Sequence, residues 1–268
     1  MEKLVVVDTS EMVAASQLSA VAVRGAGLGP APSGRPAPGL QERDRLGALR
    51  TCALSAGLDE AELLRLARTA RRRDLRRRDV LYLLGDPATE IYLVLSGALK
   101  LSRLSADGKE VTLTLVGPGE LCGEDALVES GPRTASADAL VESRLLGIPA
   151  PDFEQAMRTC PALALGVTRA LVRRLRQAEE LVEDLATREV PVRLARLLLR
   201  LAERYGAPED GRIALTLPLA HQDLAHCIGS TRETTTVTLN GFRRRGLIEM
   251  APRHIVIRDL EALRVWVA

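Results

Sequence analysis

Between Val80 and Ile148, apolar and polar residues alternate in short stretches separated by Gly-, Asp- and Pro-containing breaks. Val111-Thr112-Leu113-Thr114-Leu115 is one such stretch, and its period of two predicts a strand with one buried face. The breaks fall at Gly85-Asp86-Pro87, Ser96-Gly97, Asp107-Gly108 and Gly117-Pro118-Gly119. Asp-Gly between two alternating runs predicts a hairpin, and many short strands in succession predict a double-sheet barrel. On either side the period lengthens to that of a helix. Leu63, Leu64, Leu66 and Ala67 form a stripe behind Asp59 as N-cap, and Arg71 to Arg73 suit the C-terminus of that helix. Asp152 is expected to cap a short helix and Pro161 to open a long one. Along the long helix Leu171, Leu175, Ala178, Val182 and Leu185 recur at steps of four and three, the spacing of a coiled-coil seam. Arg173, Arg174, Arg176, Glu179, Glu180 and Glu183 border it. Such a seam serves either a two-fold dimer or packing on the chain's own barrel.

Pro191 follows Glu189 closely and sets a boundary. Arg193 to Glu203 reads as an amphipathic helix and Tyr205 to Arg212 as a loop. Leu219 to Cys227, Ile228-Gly229-Ser230 and Thr231 to Arg243 then predict helix, tight turn, helix. Gly229 supplies the positive φ of the turn, and Ser230 or Thr231 caps the second helix. Side chains at the start of that second helix have the chemistry to read a major groove. Arg232 matches guanine O6 and N7, and Glu233 matches cytosine N4. Gln222, Ser230, Thr231 and Thr234 are phosphate-holding candidates, which fix register without reading sequence.

Composition narrows the classes. Of 268 residues, 46% are hydrophobic and 27% charged, the balance of an ordinary soluble protein. Aromatics at 2% argue against a base-stacking platform. A net charge of +2 leaves polyanion affinity to local patches. The candidates are Arg71-Arg72-Arg73, Arg76-Arg77-Arg78, Arg173-Arg174 and Arg243-Arg244-Arg245, although most such runs are solvated faces. Cys52, Cys122, Cys160 and Cys227 are widely spaced, which excludes a metal-binding C-x-x-C pair and fits a reducing cytoplasm. No apolar run approaches the ~18 residues of a membrane span, so no membrane partner is expected. His221 and His226 are five apart and do not face one way; with His254 they read as surface or groove histidines, and no metal is expected. The Pro- and Gly-dense stretch Gly25 to Gly39 supports neither helix nor ladder, so residues 1–45 read as a disordered leader.

The stretch Gly123 to Ala135 sits between alternating runs. Gly123 permits close backbone approach, Glu124 can accept from a sugar hydroxyl, Arg133 can fork onto a phosphate, and Thr134 adds a hydroxyl donor. Local chemistry alone allows an ordinary charged turn equally well. Together with Leu83 to Pro87, Ile91 to Gly97 and Asp107 to Glu110, this run resembles the phosphate-binding cassette and jelly-roll barrel of the cyclic-AMP receptor protein/FNR family of bacterial transcription regulators. Gln222 to Thr234 resembles that family's helix-turn-helix, and Leu247 to Met250 with His254 to Ile257 resembles its wing. The likeness runs in order from about Leu46 to the C-terminus.

The resemblance implies an α+β protein: a cyclic-nucleotide-binding jelly-roll barrel over residues 46–160, a dimerisation helix over 161–189, and a winged helix-turn-helix over 190–268. It implies a homodimeric regulator that reads a near-palindromic operator on double-stranded DNA, works with RNA polymerase and needs no cofactor. Its effector would be cyclic AMP or a related cyclic nucleotide, held by Gly123, Glu124, Arg133 and Thr134. Two departures bear on this. Where cyclic-AMP-responsive members grip adenine with a Thr-Ser pair, the chain has Ala178 and Glu179; Ala178 donates nothing, and Glu179 can accept from an adenine amino group. Where well-known members carry a second base-reading Arg, the chain has Val237, which can pack only on a thymine methyl. An effector-independent constitutive regulator therefore stays open. So does a nucleotide-sensing module whose C-terminal helices contact protein. An enzyme is not expected, because no nucleophile, base and orienter converge in any motif.

Overall fold

The computed structural model describes residues 42–267, save 56, 129, 130 and 253. The predicted leader lies outside the described residues except for its last four, which already belong to helix α1, Glu42–Thr51. Acids in its first turn and Arg50 in its last complement the helix dipole. Helix α2, Glu60–Thr69, begins as expected: Asp59 accepts from the Glu62 amide at 2.8 Å. Its end differs from expectation. Ala70 is extended, and Arg71–Leu75 is strand β1 rather than a helix C-terminus. The triplet's polar bonds hold it there, since Arg72 bonds Asp74 at 2.6 Å and Arg73 bonds Glu90 at 3.1 Å.

Seven more strands complete the barrel. They are β2 Val80–Tyr82, β3 Glu90–Ser96, β4 Leu99–Leu104, β5 Glu110–Val116, β6 Leu121–Cys122, β7 Ser136–Ala139 and β8 Ser143–Pro149. Two antiparallel sheets, ordered β1-β8-β3-β6 and β2-β7-β4-β5, enclose Tyr82, Tyr92, Val94, Leu99, Val116, Cys122 and Leu145. The outer face of the first sheet, with Ile91, Leu93, Leu146 and Ile148, is covered by α1, α2, α3 (Ala150–Thr159) and α4 (Pro161–Thr187). Strand β3 is thus buried on both sides, which is why Ile91 to Leu95 is a continuous apolar run rather than an alternating one. Helix α3 starts after Pro149, so Asp152 sits inside the first turn instead of capping it.

Helix α4 is 27 residues long. Leu163 and Val167 bury its start against the barrel, while Leu171, Leu175, Ala178, Val182 and Leu185 are exposed. Helix α5, Val190–Tyr205, follows after Glu189, with Pro191 in its first turn, where a missing N–H costs no helical bond. The α4–α5 junction is clamped by Asp184, 1% exposed, which pairs with Arg196 and lies 3.8 Å from Arg200. The segment expected as a loop after Tyr205 is a hairpin, β9 Gly206–Glu209 and β10 Arg212–Leu215. Asp210 (φ 48°) and Gly211 (φ 75°) supply its left-handed turn, the usual work of Asp-Gly. Helices α6 His221–Cys227 and α7 Arg232–Arg244, strands β11 Ile248–Met250 and β12 Ile255–Ile257, and helix α8 Leu260–Val265 complete the chain. The four late strands form one antiparallel sheet, β11-β12-β10-β9.

The C-terminal core of Leu194, Leu198, Leu224, Leu239, Phe242 and Leu263 is continuous with Ala98, Leu115 and Leu140 of the barrel. Helix α6 lies against β5, with His226 Nδ1 3.4 Å from Glu110 Oε2. Beneath this contact Lys100 reaches Glu110 at 2.5 Å and Asp138 at 3.7 Å. Burial opposes the charge on Lys100, but the hydrogen bond to Glu110 and the nearby acids outweigh it and raise its pKa.

Candidate functional site

Two sites are built by this frame. The first is the loop after β6. Gly123 takes φ +81° and leads into a 3₁₀ turn, Glu124–Leu127. A Cβ on Gly123 would lie 2.7 Å from Arg133 Nη1, so a side chain there would displace the guanidinium. Arg133 is 2% exposed. It donates from Nη1 to the Gly123 carbonyl at 2.7 Å and from Nη2 to the Glu90 carbonyl at 2.6 Å. Its guanidinium carbon sits 4.4 Å from the centre of the Tyr82 ring and 5.5 Å from that of Tyr92. Among the described residues Nε has no partner, and no carboxylate forms a salt bridge with the group. Burial raises the pKa of the Tyr82 hydroxyl, and together with Glu90 it pushes Tyr92 up to about 12; both rings are neutral aromatic walls around the cation. Cys122, beside them, is pushed up to about 12 by burial and is no thiolate at neutral pH.

Thr134 donates its hydroxyl to Asp125 at 2.7 Å, which ties the two ends of the loop together. Glu124, expected to be free for a sugar hydroxyl, pairs through Oε1 with Arg174 of α4, whose Nη2 also donates to the Leu121 carbonyl at 2.6 Å. Glu124 Oε2 is buried without a partner among the described residues. A cleft of about 270 Å³ separates the barrel from α4, with Glu124, Arg169, Arg173, Arg174 and Gln177 on its wall. Gly123, Glu124, Arg133 and Thr134 are therefore brought into one loop. Glu179 is exposed two residues beyond the last helical wall residue and does not line the cleft. Sequence reasoning took Arg174 for a seam border and missed Asp125, Tyr82 and Tyr92. The four-residue step from Arg174 to Ala178 was the available signal, since it puts Arg174 on the same face of the helix as the position that the family resemblance directs at the ligand.

The second site is α7. Thr231 is its N-cap, accepting from the Thr234 amide at 3.2 Å, and Gly229 takes φ +57° in the turn before it. Thr235, Leu239 and Phe242, spaced four and three, bury one face. Arg232, Glu233, Thr234 and Val237 consequently stand on the exposed side, Val237 at 67% exposure. Gln222 is exposed on α6, with its amide 2.5 Å from His226, and Ser230 is half-buried in the turn. His221 Nδ1 lies 2.8 Å from Thr236 Oγ1 and joins α6 to α7. Burial, then the Arg232 charge, lower its pKa. The histidines expected at the surface or groove are thus partly enclosed: His221 between the two helices, His226 between α6 and β5. The cysteines described are free and buried, and no three potential ligands gather into a metal site among the described residues.

Known proteins match both domains. Residues 72–160 match the cyclic nucleotide-binding domain family, and residues 192–266 match the Crp-like helix-turn-helix domain family. The chain is 31% identical over 215 residues to a CRP-like cAMP-activated global transcriptional regulator of Mycobacterium tuberculosis, covering 80% of this chain and 96% of that protein. It is 36% identical over 181 residues to a global nitrogen regulator of Synechocystis, covering 67% and 80%. Its fold superposes on FixK2 from Bradyrhizobium japonicum with a TM-score of 0.66 at 25% identity, over 74% of this chain and 98% of that one.

Proposed function

Because the chain belongs to the Crp/Fnr family of DNA-binding transcription regulators, we propose that it acts in the cytoplasm as a homodimer whose operator binding is controlled by a cyclic nucleotide held in the β6–β7 cassette. One observation carries the effector reading. Arg133 is a nearly fully buried cation balanced, among the described residues, only by carbonyl oxygens and ring faces, with Nε unpartnered there. A buried charge without a counter-ion is costly, and a phosphate supplies that counter-ion with fork geometry. The name of the Mycobacterium tuberculosis relative, a cAMP-activated regulator, supports cyclic AMP in particular, whereas Ala178 removes one adenine contact. A related cyclic nucleotide with a weaker base grip fits the same cassette.

The exposed stripe Leu171, Leu175, Ala178, Val182 and Leu185 supports a two-fold seam between α4 helices. Two paired α7 helices then read half-sites of a near-palindrome about one helical turn apart. Arg232, Glu233 and Val237 face the base edges, and Gln222, Ser230, Thr231 and Thr234 the phosphates. RNA polymerase is the partner through which such a dimer acts. Calorimetric titration of the full chain with cyclic AMP, cyclic GMP and cyclic CMP tests the effector. Saturable binding that Arg133→Ala and Thr134→Ala both weaken supports it. The absence of heat with all three favours the effector-independent reading, which the Glu124–Arg174 pair supports by engaging one oxygen of the sugar-side acid from within the chain.

A further inference from the structure

We propose that His226 is a positioning residue for operator binding, setting which end of the Gln222 amide faces the duplex and so making DNA affinity depend on pH; this rests on the reading of Gln222 as a phosphate contact. The two side chains are one turn apart on α6, with their Nε2 atoms 2.5 Å from one another. At that distance one group must present a hydrogen and the other a lone pair. A ring nitrogen without a proton can only accept, so it takes an N–H of the Gln222 amide. A protonated ring nitrogen can only donate, so the amide turns over and offers its oxygen. Gln222 is exposed, and whatever the histidine does not hold is left for the phosphate. A phosphate accepts hydrogen bonds only, so the amide serves it fully when the ring is charged.

The barrel sets the tautomer and favours the second proton. His226 is largely enclosed, and its Nδ1, buried and without a hydrogen-bond partner among the described residues, lies 3.4 Å from Glu110 Oε2 on β5. A carboxylate there draws the hydrogen of the neutral ring to Nδ1, which leaves Nε2 bare towards Gln222. Burial acts to raise the pKa of Glu110, but the Lys100 hydrogen bond and charge outweigh it and hold the carboxyl below its ordinary range. Lys100 of β4 meets Glu110 at 2.5 Å and Asp138 of β7 at 3.7 Å, and the charge of Asp223 on α6 acts on both Lys100 and Asp138. Arg200 of α5, whose charge reaches the neighbouring Cys227, lies 3.8 Å from Asp184. One lysine among three acids leaves negative charge that an imidazolium at His226 answers. Proton and phosphate thus favour the same arrangement of Gln222, and each tightens the binding of the other.

The test uses the full chain and an operator recovered by selection from random duplexes. Affinity is measured at fixed salt from about pH 8 to about pH 5, the span over which histidines change charge. Wild-type affinity should rise as pH falls, by roughly 2- to 12-fold per half-site, the range of one hydrogen bond. His226→Gln keeps a polar group beside Gln222 but takes up no proton, so it should lose this step. Glu110→Gln removes the anion beside Nδ1 and should move the step to lower pH. Gln222→Ala, exposed and outside the core, should bind more weakly than wild type at the acid end and show no step. A flat wild-type profile, a step that survives in His226→Gln, or one that stays in place in Glu110→Gln overturns the proposal. Gln222→Ala that is weakened but keeps the full step also overturns it, while leaving the phosphate reading of Gln222 standing. Gln222→Ala that matches wild type at every pH overturns that reading, and the proposal with it.

Discussion

Arg232 and His221 show how closely single residues of the DNA-reading unit are coupled. Arg232 stands exposed in the first turn of α7, and its charge adds to burial in holding His221 below the ordinary histidine range. The sign follows directly. The folded chain takes up this proton less readily than the unfolded chain, so stability rises with pH through the window just below about 6.5 and is lost as pH falls. An NMR titration of the three histidines should find His221 below its ordinary value, with Arg232→Ala moving it back up; no movement in the variant would remove Arg232 as a cause. The same substitution should cost roughly 1–3 kcal/mol of specific DNA affinity and relax preference at one base pair per half-site. A competition assay at fixed salt that finds specific binding unchanged would move the groove contact to other residues.

At the scale of elements, α4 does three jobs in sequence. Leu163 and Val167 anchor it to the barrel, Arg174 reaches the cassette, and the stripe from Leu171 to Leu185 faces out. Leu175 and Val182 are 58% and 65% exposed, as the proposed seam requires. Leu175→Glu and Val182→Glu should each convert a dimer to monomer while leaving the fold intact, because neither side chain supports the described core. Sedimentation showing a dimer for both variants would place the interface elsewhere. Leu185, the last position of the proposed seam, also packs by the turn before α7: a Cβ on Gly229 would come within 2.6 Å of Leu185 Cδ2. With the Asp184 clamp onto Arg196 and Arg200, α4 is mechanically continuous with the helix-turn-helix.

Over the whole molecule, the cassette, α4 and α7 form one connected path, so effector and operator binding should be coupled. A ligand shifts the arrangement only by its differential affinity for two states, and the coupling is reciprocal. A cyclic nucleotide that tightens operator binding by some factor should itself be bound tighter on DNA by the same factor. Arg133→Ala should remove that coupling and leave weak, salt-sensitive non-specific binding in place. Equal operator affinity with and without every cyclic nucleotide, in both wild type and Arg133→Ala, would make the cassette silent toward that ligand class.

The sequence by itself determined the kinds and order of most elements. The strand at β5, the seam spacing of α4 and the Gly229 turn depend on local periodicity and on backbone freedoms that neighbouring residues set, although in β5 Thr112 rather than Val111 or Leu113 is the side chain turned inward. The same holds for Asp59 and Thr231 as caps, each of which bonds an amide three residues on. Where a local rule met a long-range partner, the partner prevailed. Arg71 to Arg73 suit a helix end, but strand pairing with β8 and bonds to Asp74 and Glu90 made them β1. The loop-like stretch after Tyr205 became a hairpin because β10 also pairs with β12, more than forty residues later. Only the tertiary structure decided that Glu124 meets Arg174, that His226 faces Glu110, and that Arg133 turns inward between two tyrosine rings. Those pairings join residues far apart in the chain, and their energies depend on burial and on counter-charges that no local pattern records.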